Sequence, residues 1–202
     1  EIFLGRNRYG IVNPIAPGLT NLGLVIGRDT LPQNVDPRGV WRRIAERIPG
    51  LADLLVAARP VGPVRALGPL AHRAVRLGAP GALLVGDAAG FLDPFTGEGI
   101  FAALRSAELA AAAILRAYRD QPASPNVDAY AAAWDREFRP KWRYAMWLQV
   151  AIRRPWLAEG LVAYLARRPE RANALMAAAG DLRPSSDLGP ARLLCEVMGC
   201  AH

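Results

Sequence analysis

The sequence predicts an α/β fold of the mixed α+β kind, with strands first, then one strand–loop–helix unit, then helices. Three observations predict this order. Alternating apolar residues bounded by turn residues occupy the first 27 positions. A short apolar run then enters a loop rich in Gly, Asp and Pro at residues 86–99, and apolar residues beyond residue 126 recur at helical spacing. We therefore expect three segments, at residues 1–80, 81–120 and 121–202.

The first segment opens with two predicted strands, Ile2–Ile15 and Asn21–Ile26, joined by a turn with the sequence APGLT. Asp36 and Pro37 are typical of a helix start, because Asp caps the free N–H groups and Pro has a helical φ. The following helix places four apolar residues on one face: Val40, Trp41, Ile44 and Ile48.

Shorter elements are predicted between this helix and the Gly-rich loop. A short helix spans Leu51–Ala58, and β-like segments follow at Val61–Leu67 and Ala74–Leu77. The run Ala82–Val85 is wholly apolar, which is typical of a strand buried on both faces of a sheet.

A long helix is predicted from Glu98 to Tyr118, after the loop. One side of it carries Ile100, Leu104, Ala107, Ala111 and Leu115. Residues 120–126, with the sequence DQPASPN, are predicted to be a linker. Beyond it, new helices are expected to begin at three prolines: Pro140, Pro155 and Pro169.

The net charge of +7 comes almost entirely from arginine, since Lys141 is the single lysine. This charge indicates either an anionic partner or basic faces that are simply exposed to solvent. The sequence contains no recognisable nucleic-acid-binding module, so nucleic acid is not expected as the partner. Cys195 and Cys200, with His72 and His202, match no zinc-site spacing, so we expect no metal and two free thiols. The sequence shows neither a signal peptide nor an apolar run of membrane-spanning length, which predicts a cytoplasmic protein.

The loop at residues 86–99 has the composition of a ligand site. Gly86 and Asp87 follow a strand, where a carboxylate can accept hydrogen bonds from a sugar or ribityl hydroxyl. Gly97 and Gly99 leave backbone N–H groups unshielded at the positive end of a helix, which favours an electron-rich ligand group. The alternative is a structural turn in which Asp87 serves as a cap.

The block GDAAGFLDPFTGEGI resembles the second FAD-binding motif of the flavoproteins related to p-hydroxybenzoate hydroxylase, and within them the geranylgeranyl reductase branch. The tail sequences AAGDLRP and LGPARLL are similar to that branch as well. The resemblance implies that Asp87 contacts the ribityl or phosphate region of FAD, and that Pro94, Gly97 and Gly99 face the isoalloxazine. The full set of implied cofactor-binding residues is Gly86, Asp87, Ala88, Gly90, Pro94, Gly97, Glu98, Gly99 and Ile100.

Two departures from that family limit the resemblance. The sequence has no Gly-x-Gly-x-x-Gly turn after a strand to hold the FAD pyrophosphate, so we expect this chain to be a C-terminal half that needs an N-terminal FAD-binding half. The prenyl reductases also carry a Tyr-x-Trp-x-Phe-Pro stretch lining a lipid pocket, followed by Gly-x-Gly. In this chain Tyr9, Pro14 and Gly23 fit that pattern, whereas Ile11, Asn13 and Val25 do not. The candidate substrate residues are Tyr9, Ile11, Asn13 and Pro14.

The resemblance implies an FAD-dependent oxidoreductase that uses NAD(P)H to reduce a C=C bond of an isoprenoid or other lipophilic substrate. The sequence leaves two alternatives open. One is an FAD-dependent monooxygenase that hydroxylates an aromatic or polyketide-like substrate. The other is a non-catalytic fragment, or a module that binds a lipid or a protein partner.

Three further features each have two interpretations. Aromatic residues from Trp134 to Trp156 alternate with basic ones, which indicates either peripheral membrane contact or, as we favour, packing of the helical region. His72 is either a proton donor or simply exposed. Glu98 is placed to act as an acid or base beside the loop, or to serve as a first-turn helix charge.

Overall fold

A computed structural model describes residues 1–27, 36–120 and 126–180 and has the predicted mixed α+β fold. The chain forms two compact units. The first unit contains Glu1–Pro69 and Gln149–Leu161, and the second contains Leu70–Leu148 and the chain from Val162 onward. The boundary at Pro69 falls before the division expected at residue 80, and part of the helical region belongs to the first unit.

The first unit contains an antiparallel three-stranded sheet in the order β1 (Ile2–Gly5), β2 (Arg8–Ala16) and β3 (Leu19–Ile26). The prediction of a single strand over Ile2–Ile15 was wrong, because the chain reverses between β1 and β2. At that reversal Asn7 has a φ of 56°. Asn is one of the few side chains that tolerate this left-handed conformation, so a hairpin turn forms inside what the apolar pattern presents as one strand.

Two helices pack on one face of this sheet: α1 (Pro37–Ala45) and α2 (Leu51–Leu55). The predicted start at Pro37 is confirmed, while α2 ends earlier than expected. The buried residues of this core are Ala45, Ile48, Leu51 and Leu55, with Phe3, Val12, Leu22, Leu24 and Trp41 packed against them. The predicted strand at Val61–Leu67 is absent from the structure. Prolines at positions 60 and 63 explain this, because they cannot donate backbone hydrogen bonds to a sheet.

The second unit contains two antiparallel pairs of very short strands. β4 (His72–Arg73) pairs with β7 (Gly90–Phe91), and β5 (Gly78–Ala79) pairs with β6 (Ala82–Leu83). The strand predicted at Ala74–Leu77 does not form, and the nearest strand before it is β4. The strand expected at Ala82–Val85 shrinks to β6 and is not buried on both faces, since Ala82 and Val85 are exposed.

Helix α3 (Gly99–Asp120) confirms the predicted long helix, but its predicted apolar side is exposed. Ile100 is 79% exposed and Leu104 is 65% exposed. The buried side instead carries Ser106 and Ala110. Small side chains on this side let α3 lie close to the loop at residues 86–88, whereas large apolar ones would hold the two apart.

Three more helices complete the described chain: α4 (Val127–Ile152), α5 (Pro155–Ala166) and α6 (Pro169–Ala179). Helix starts at Pro155 and Pro169 are confirmed, but Pro140 lies inside α4. A proline there removes one backbone donor, and α4 continues because it buries aromatic residues on both sides of that position. None of the described helices combines the length and apolar character needed to cross a membrane. Most of the predicted linker, the tail motifs and both cysteines lie outside the described residues.

The core of the second unit is aromatic. Trp134 lies 4.9 Å from Phe138 between ring centroids and meets Trp142 edge-on at 5.8 Å. The Arg73 guanidinium lies over the rings of Trp134 and Trp142, at 5.5 and 5.6 Å from their centroids. In this part of α4 the aromatic residues Trp134, Phe138 and Tyr144 are buried, whereas the arginines that alternate with them are exposed; Trp156 in α5 is largely exposed.

Replacing Phe138 by Ala is expected to lower the free energy of unfolding by about 3–5 kcal/mol, because it leaves a cavity in the buried core. Tyr118→Ala on α3 is the matched control, since that ring is exposed and its loss should change stability by less than about 0.5 kcal/mol. Urea denaturation of both variants measures the difference. Equal losses would contradict the assignment of this core.

Candidate functional site

The loop at residues 86–99 consists of two tight turns separated by β7. A 3₁₀ turn at Gly86–Ala88 begins the loop, and a second one at Pro94–Thr96 leads through Gly97 into α3. Most of the candidate cofactor-binding residues therefore lie between a short strand and the amino end of a long helix. This is the local arrangement that the sequence predicted.

Gly86 is held tightly against α3. Its φ of 55° is left-handed, and a Cβ at this position would lie 3.2 Å from the Cβ of Ala103. Its N–H donates a hydrogen bond to the Ser106 hydroxyl (2.7 Å), which itself donates to the carbonyl of Ala102 (2.6 Å). Gly86 thus fixes the start of the loop on the helix.

Gly90 and Ala89 also face the protein interior. A Cβ on Gly90 would lie 2.8 Å from the Trp142 ring, and Ala89 is fully buried in the aromatic core. The structure gives these small residues packing roles. Asp87 and Ala88, between Gly86 and Ala89, are exposed.

The Asp87 carboxylate is exposed, and no hydrogen bond or ion pair to it is found within the described ranges. The Asp87 main-chain carbonyl, by contrast, accepts a hydrogen bond from His72 Nε2 at 2.7 Å. The aspartate that caps a turn in this loop is Asp93, whose Oδ1 accepts a hydrogen bond from the N–H of Phe95 at 2.8 Å. Sequence reasoning missed this role, although Asp93-Pro94 repeats the Asp-Pro signal seen at the start of α1.

The far end of the loop is open. Gly97 has a φ of 74°, and a Cβ there would meet no atom within 4 Å. Ile100, in the first turn of α3, is exposed. The backbone at Gly97 is therefore open on its Cα side, although its N–H already donates a hydrogen bond to the carbonyl of Pro94 at 3.1 Å.

Glu98 lies between Gly97 and Gly99 but turns into the protein. Its Oε2 accepts a hydrogen bond from the Thr96 hydroxyl (3.0 Å), and its Oε1 lies 3.7 Å from Lys141 Nζ. Burial raises the pKa of the Glu98 carboxyl, and the Lys141 charge and the Thr96 hydrogen bond partly oppose this rise. Burial also lowers the pKa of Lys141, partly offset by the charges of Glu98 and Glu137.

His72 joins the loop from β4. Its Nδ1 lies 2.8 Å from the carbonyl of Leu70, and its Nε2 contacts the carbonyl of Asp87. Two carbonyl partners require two N–H donors, so this geometry favours the imidazolium form. The two hydrogen bonds, to Leu70 first and Asp87 second, raise the pKa of His72.

The candidate substrate residues lie on β2 in the first unit, whereas the loop belongs to the second unit. Alternation along the strand puts Tyr9, Ile11 and Asn13 on one face and Pro14 on the other, the face on which Val12 packs in the first core. Tyr9 is buried, whereas Asn13 and Pro14 are exposed.

Comparison with known proteins gives one partial similarity. No protein-family model matches the chain. The chain is 32% identical over 127 residues to a Dictyostelium discoideum protein described as conditioned medium factor receptor 1. The aligned region covers 58% of this chain and 24% of that protein, so the chain spans about a quarter of the length of this relative.

The hydrogen bonds of His72 make the attachment of the loop dependent on pH. Because the folded-state pKa lies above the ordinary value of 6.5, the stabilisation is complete below that value and is lost as the pH rises through the folded-state pKa. We expect an NMR titration of the His72 ring to give a pKa above 6.5.

The His72→Ala variant tests the same contacts through stability. Its urea midpoint should fall below that of the unmodified chain at about pH 5.5 and approach it at about pH 8.5. A difference that grows with pH would contradict the imidazolium assignment.

Proposed function

We propose that the loop at residues 86–99 binds the flavin of an FAD-dependent oxidoreductase similar to the geranylgeranyl reductases. The observation that carries this proposal is that two exposed features stand at the two ends of one loop: the Asp87 carboxylate, and the backbone at Gly97, where a Cβ would meet no atom within 4 Å. The other small residues of the loop pack inward. Bound FAD would supply hydride transfer from NAD(P)H to the substrate.

The two free features suit different parts of a flavin. The exposed Asp87 carboxylate is an acceptor for ribityl hydroxyl groups. Gly97 and Gly99 bring unshielded backbone to the amino end of α3, whose 22 residues direct a partial positive charge at that point. This end of the helix favours the electron-rich edge of a flavin ring, most of all when the ring is reduced and anionic.

The charges beside the loop are compatible with this role. Glu98 and Lys141 neutralise each other, so their pair leaves the positive field at the amino end of α3 largely unchanged. The resemblance assigns FAD-binding roles to Gly86, Ala88 and Gly90 as well. For Gly86 and Gly90 we propose an indirect role, since both fix the loop on protein atoms.

We propose a lipophilic substrate, an isoprenoid or similar compound, whose C=C bond is reduced. Tyr9, Ile11 and Asn13 share one face of the first unit's sheet, and a mainly apolar face of this kind suits such a substrate. The receptor similarity does not alter this proposal, because it covers about a quarter of that protein.

In a full-length protein that includes the expected N-terminal FAD-binding half, replacing Asp87 by Ala is expected to weaken FAD binding by about tenfold to a hundredfold, because it removes a charged acceptor of cofactor hydroxyl groups. The melting temperature without FAD should change little, since the carboxylate is exposed and its charge is the smallest of the effects that raise the pKa of His72. Flavin fluorescence titration and thermal unfolding of the same variant measure both quantities.

Asp93→Ala is the matched control in the same loop. It removes the cap on the turn at Pro94–Thr96, so it should lower stability without FAD by about 1 kcal/mol. Its FAD affinity should change less than that of Asp87→Ala. If Asp87→Ala leaves FAD affinity unchanged, the loop is not a flavin site.

Reductase and monooxygenase activity differ in what they consume. For the proposed reductase, the FAD-loaded protein with NAD(P)H and an isoprenoid should lose one substrate double bond per NAD(P)H oxidised, without matching oxygen uptake. Parallel measurements with an oxygen electrode and by mass spectrometry test this. Stoichiometric oxygen uptake with an oxygenated product would identify the monooxygenase instead.

A further inference from the structure

Two buried polar atoms of the second unit lack a hydrogen-bond partner within the described part of the chain: Glu98 Oε1 and the Tyr144 hydroxyl oxygen. Tyr144 is 2% exposed. Buried groups of this kind are nearly always hydrogen-bonded in folded proteins, because leaving one unpaired costs free energy. The two atoms therefore indicate a place where something else supplies hydrogen bonds.

Both groups lie beside Lys141, because Lys141 Nζ is 3.7 Å from Glu98 Oε1 and Tyr144 follows Lys141 by three residues on the same face of α4. Burial, followed by the negative charge of Glu98, raises the pKa of Tyr144 to about 12. Tyr144 is therefore a neutral phenol that can donate its hydrogen at neutral pH. Glu98 has its Oε2 occupied by Thr96, whereas its Oε1 lies 3.7 Å from Lys141 Nζ, which is too long for a hydrogen bond.

The missing group must donate a hydrogen bond to a carboxylate oxygen and accept one from a phenol. A carbonyl oxygen cannot donate, and an ammonium cannot accept. A single O–H group does both. We propose that Glu98 and Tyr144 form a binding site for one hydroxyl group, which donates to Glu98 Oε1 and accepts from Tyr144.

Lys141 is a positioning residue in this site. It is the single lysine of a chain that otherwise uses arginine, and its ammonium lies 4.1 Å from the centroid of the Phe101 ring. The side chains of Glu98 and Lys141 are 15% and 13% exposed, so their attraction is weakly screened by solvent. The charge of Lys141 opposes the rise in the pKa of Glu98 that burial causes, which favours the carboxylate form that an acceptor requires.

The hydroxyl has two possible sources, a small alcohol or phenol ligand or a water molecule. The site goes beyond the proposed flavin function, because the Glu98 side chain turns into the protein towards α4 and away from the open end of the loop. Its test uses no flavin, so its failure and the failure of FAD binding are separate results.

Tyr144→Phe in the full chain tests the site, with Tyr130→Phe as the matched control. Tyr130 is equally buried, and its hydroxyl donates to the carbonyl of Leu84 at 2.6 Å, so this control should lower the melting temperature. If a hydroxyl is bound at Tyr144, Tyr144→Phe should also lower it, by roughly 2–4 °C. An unchanged or raised melting temperature would overturn the proposal, because removal of an unpaired buried hydroxyl should be neutral or stabilising.

Phenol, with benzene as the control that lacks a hydroxyl, distinguishes the two sources. Phenol should raise the melting temperature of the unmodified chain but not of Glu98→Ala, which lacks the acceptor, if the site takes a ligand hydroxyl. Destabilisation by Tyr144→Phe without a phenol effect assigns the hydroxyl to water. Equal stabilisation of both chains by phenol would overturn the ligand site.

A crystal structure gives the direct measurement. An oxygen atom within about 3 Å of both Glu98 Oε1 and the Tyr144 hydroxyl supports the proposal. A direct hydrogen bond between the two side chains would overturn it.

Discussion

The second unit depends on the close approach between the backbone at Gly86 and helix α3. The approach needs a left-handed residue without a side chain at position 86 and small side chains on the facing side of the helix. Buried Ser106 joins the two by accepting a hydrogen bond from Gly86 and donating one to its own helix. The same constraint decides which side of α3 is buried, and it directs Ile100 and Leu104 to the exposed side.

Contacts with the rest of the second unit hold the loop that begins at Gly86 at several residues, and other parts of the loop stay exposed. His72 holds the Asp87 carbonyl, Trp142 packs against Gly90, and Asp93 caps the second turn. What remains exposed is the Asp87 side chain and the backbone at Gly97. A loop held at these points would lose little conformational entropy on binding the ligand that we propose for it.

Several arginine side chains of the second unit form ion pairs within that unit. Arg73 pairs with Asp135 at 3.0 Å, and Arg105 pairs with Glu137 at 3.0 Å. These pairs are partly exposed and contribute little stability individually. The Glu98–Lys141 pair is more buried, so breaking it by removing one partner leaves a charge in a poor solvent environment. The excess of arginine is therefore explained in part by packing on aromatic rings and by pairing within the fold.

Local chemistry in the sequence determined the mixed fold, the helix starts at Pro37, Pro155 and Pro169, and the position of the loop ahead of α3. These features depend on φ preferences, caps and turn residues that act within a few positions. The sequence alone was also enough to identify the candidate cofactor-binding residues as one group, because they lie close together in the chain. Tertiary structure alone decided the buried side of α3, the short half-exposed strand at Ala82–Leu83 and the passage of α4 through Pro140.

The same distinction applies to the candidate site. His72, Lys141 and Tyr144 reach it from distant positions in the chain, and no local pattern marks them. Their roles follow from burial and from partners such as the Asp87 carbonyl and the Glu98 carboxylate. The sequence alone does not reveal these roles, because the energy of a buried polar group depends on which atoms surround it after folding.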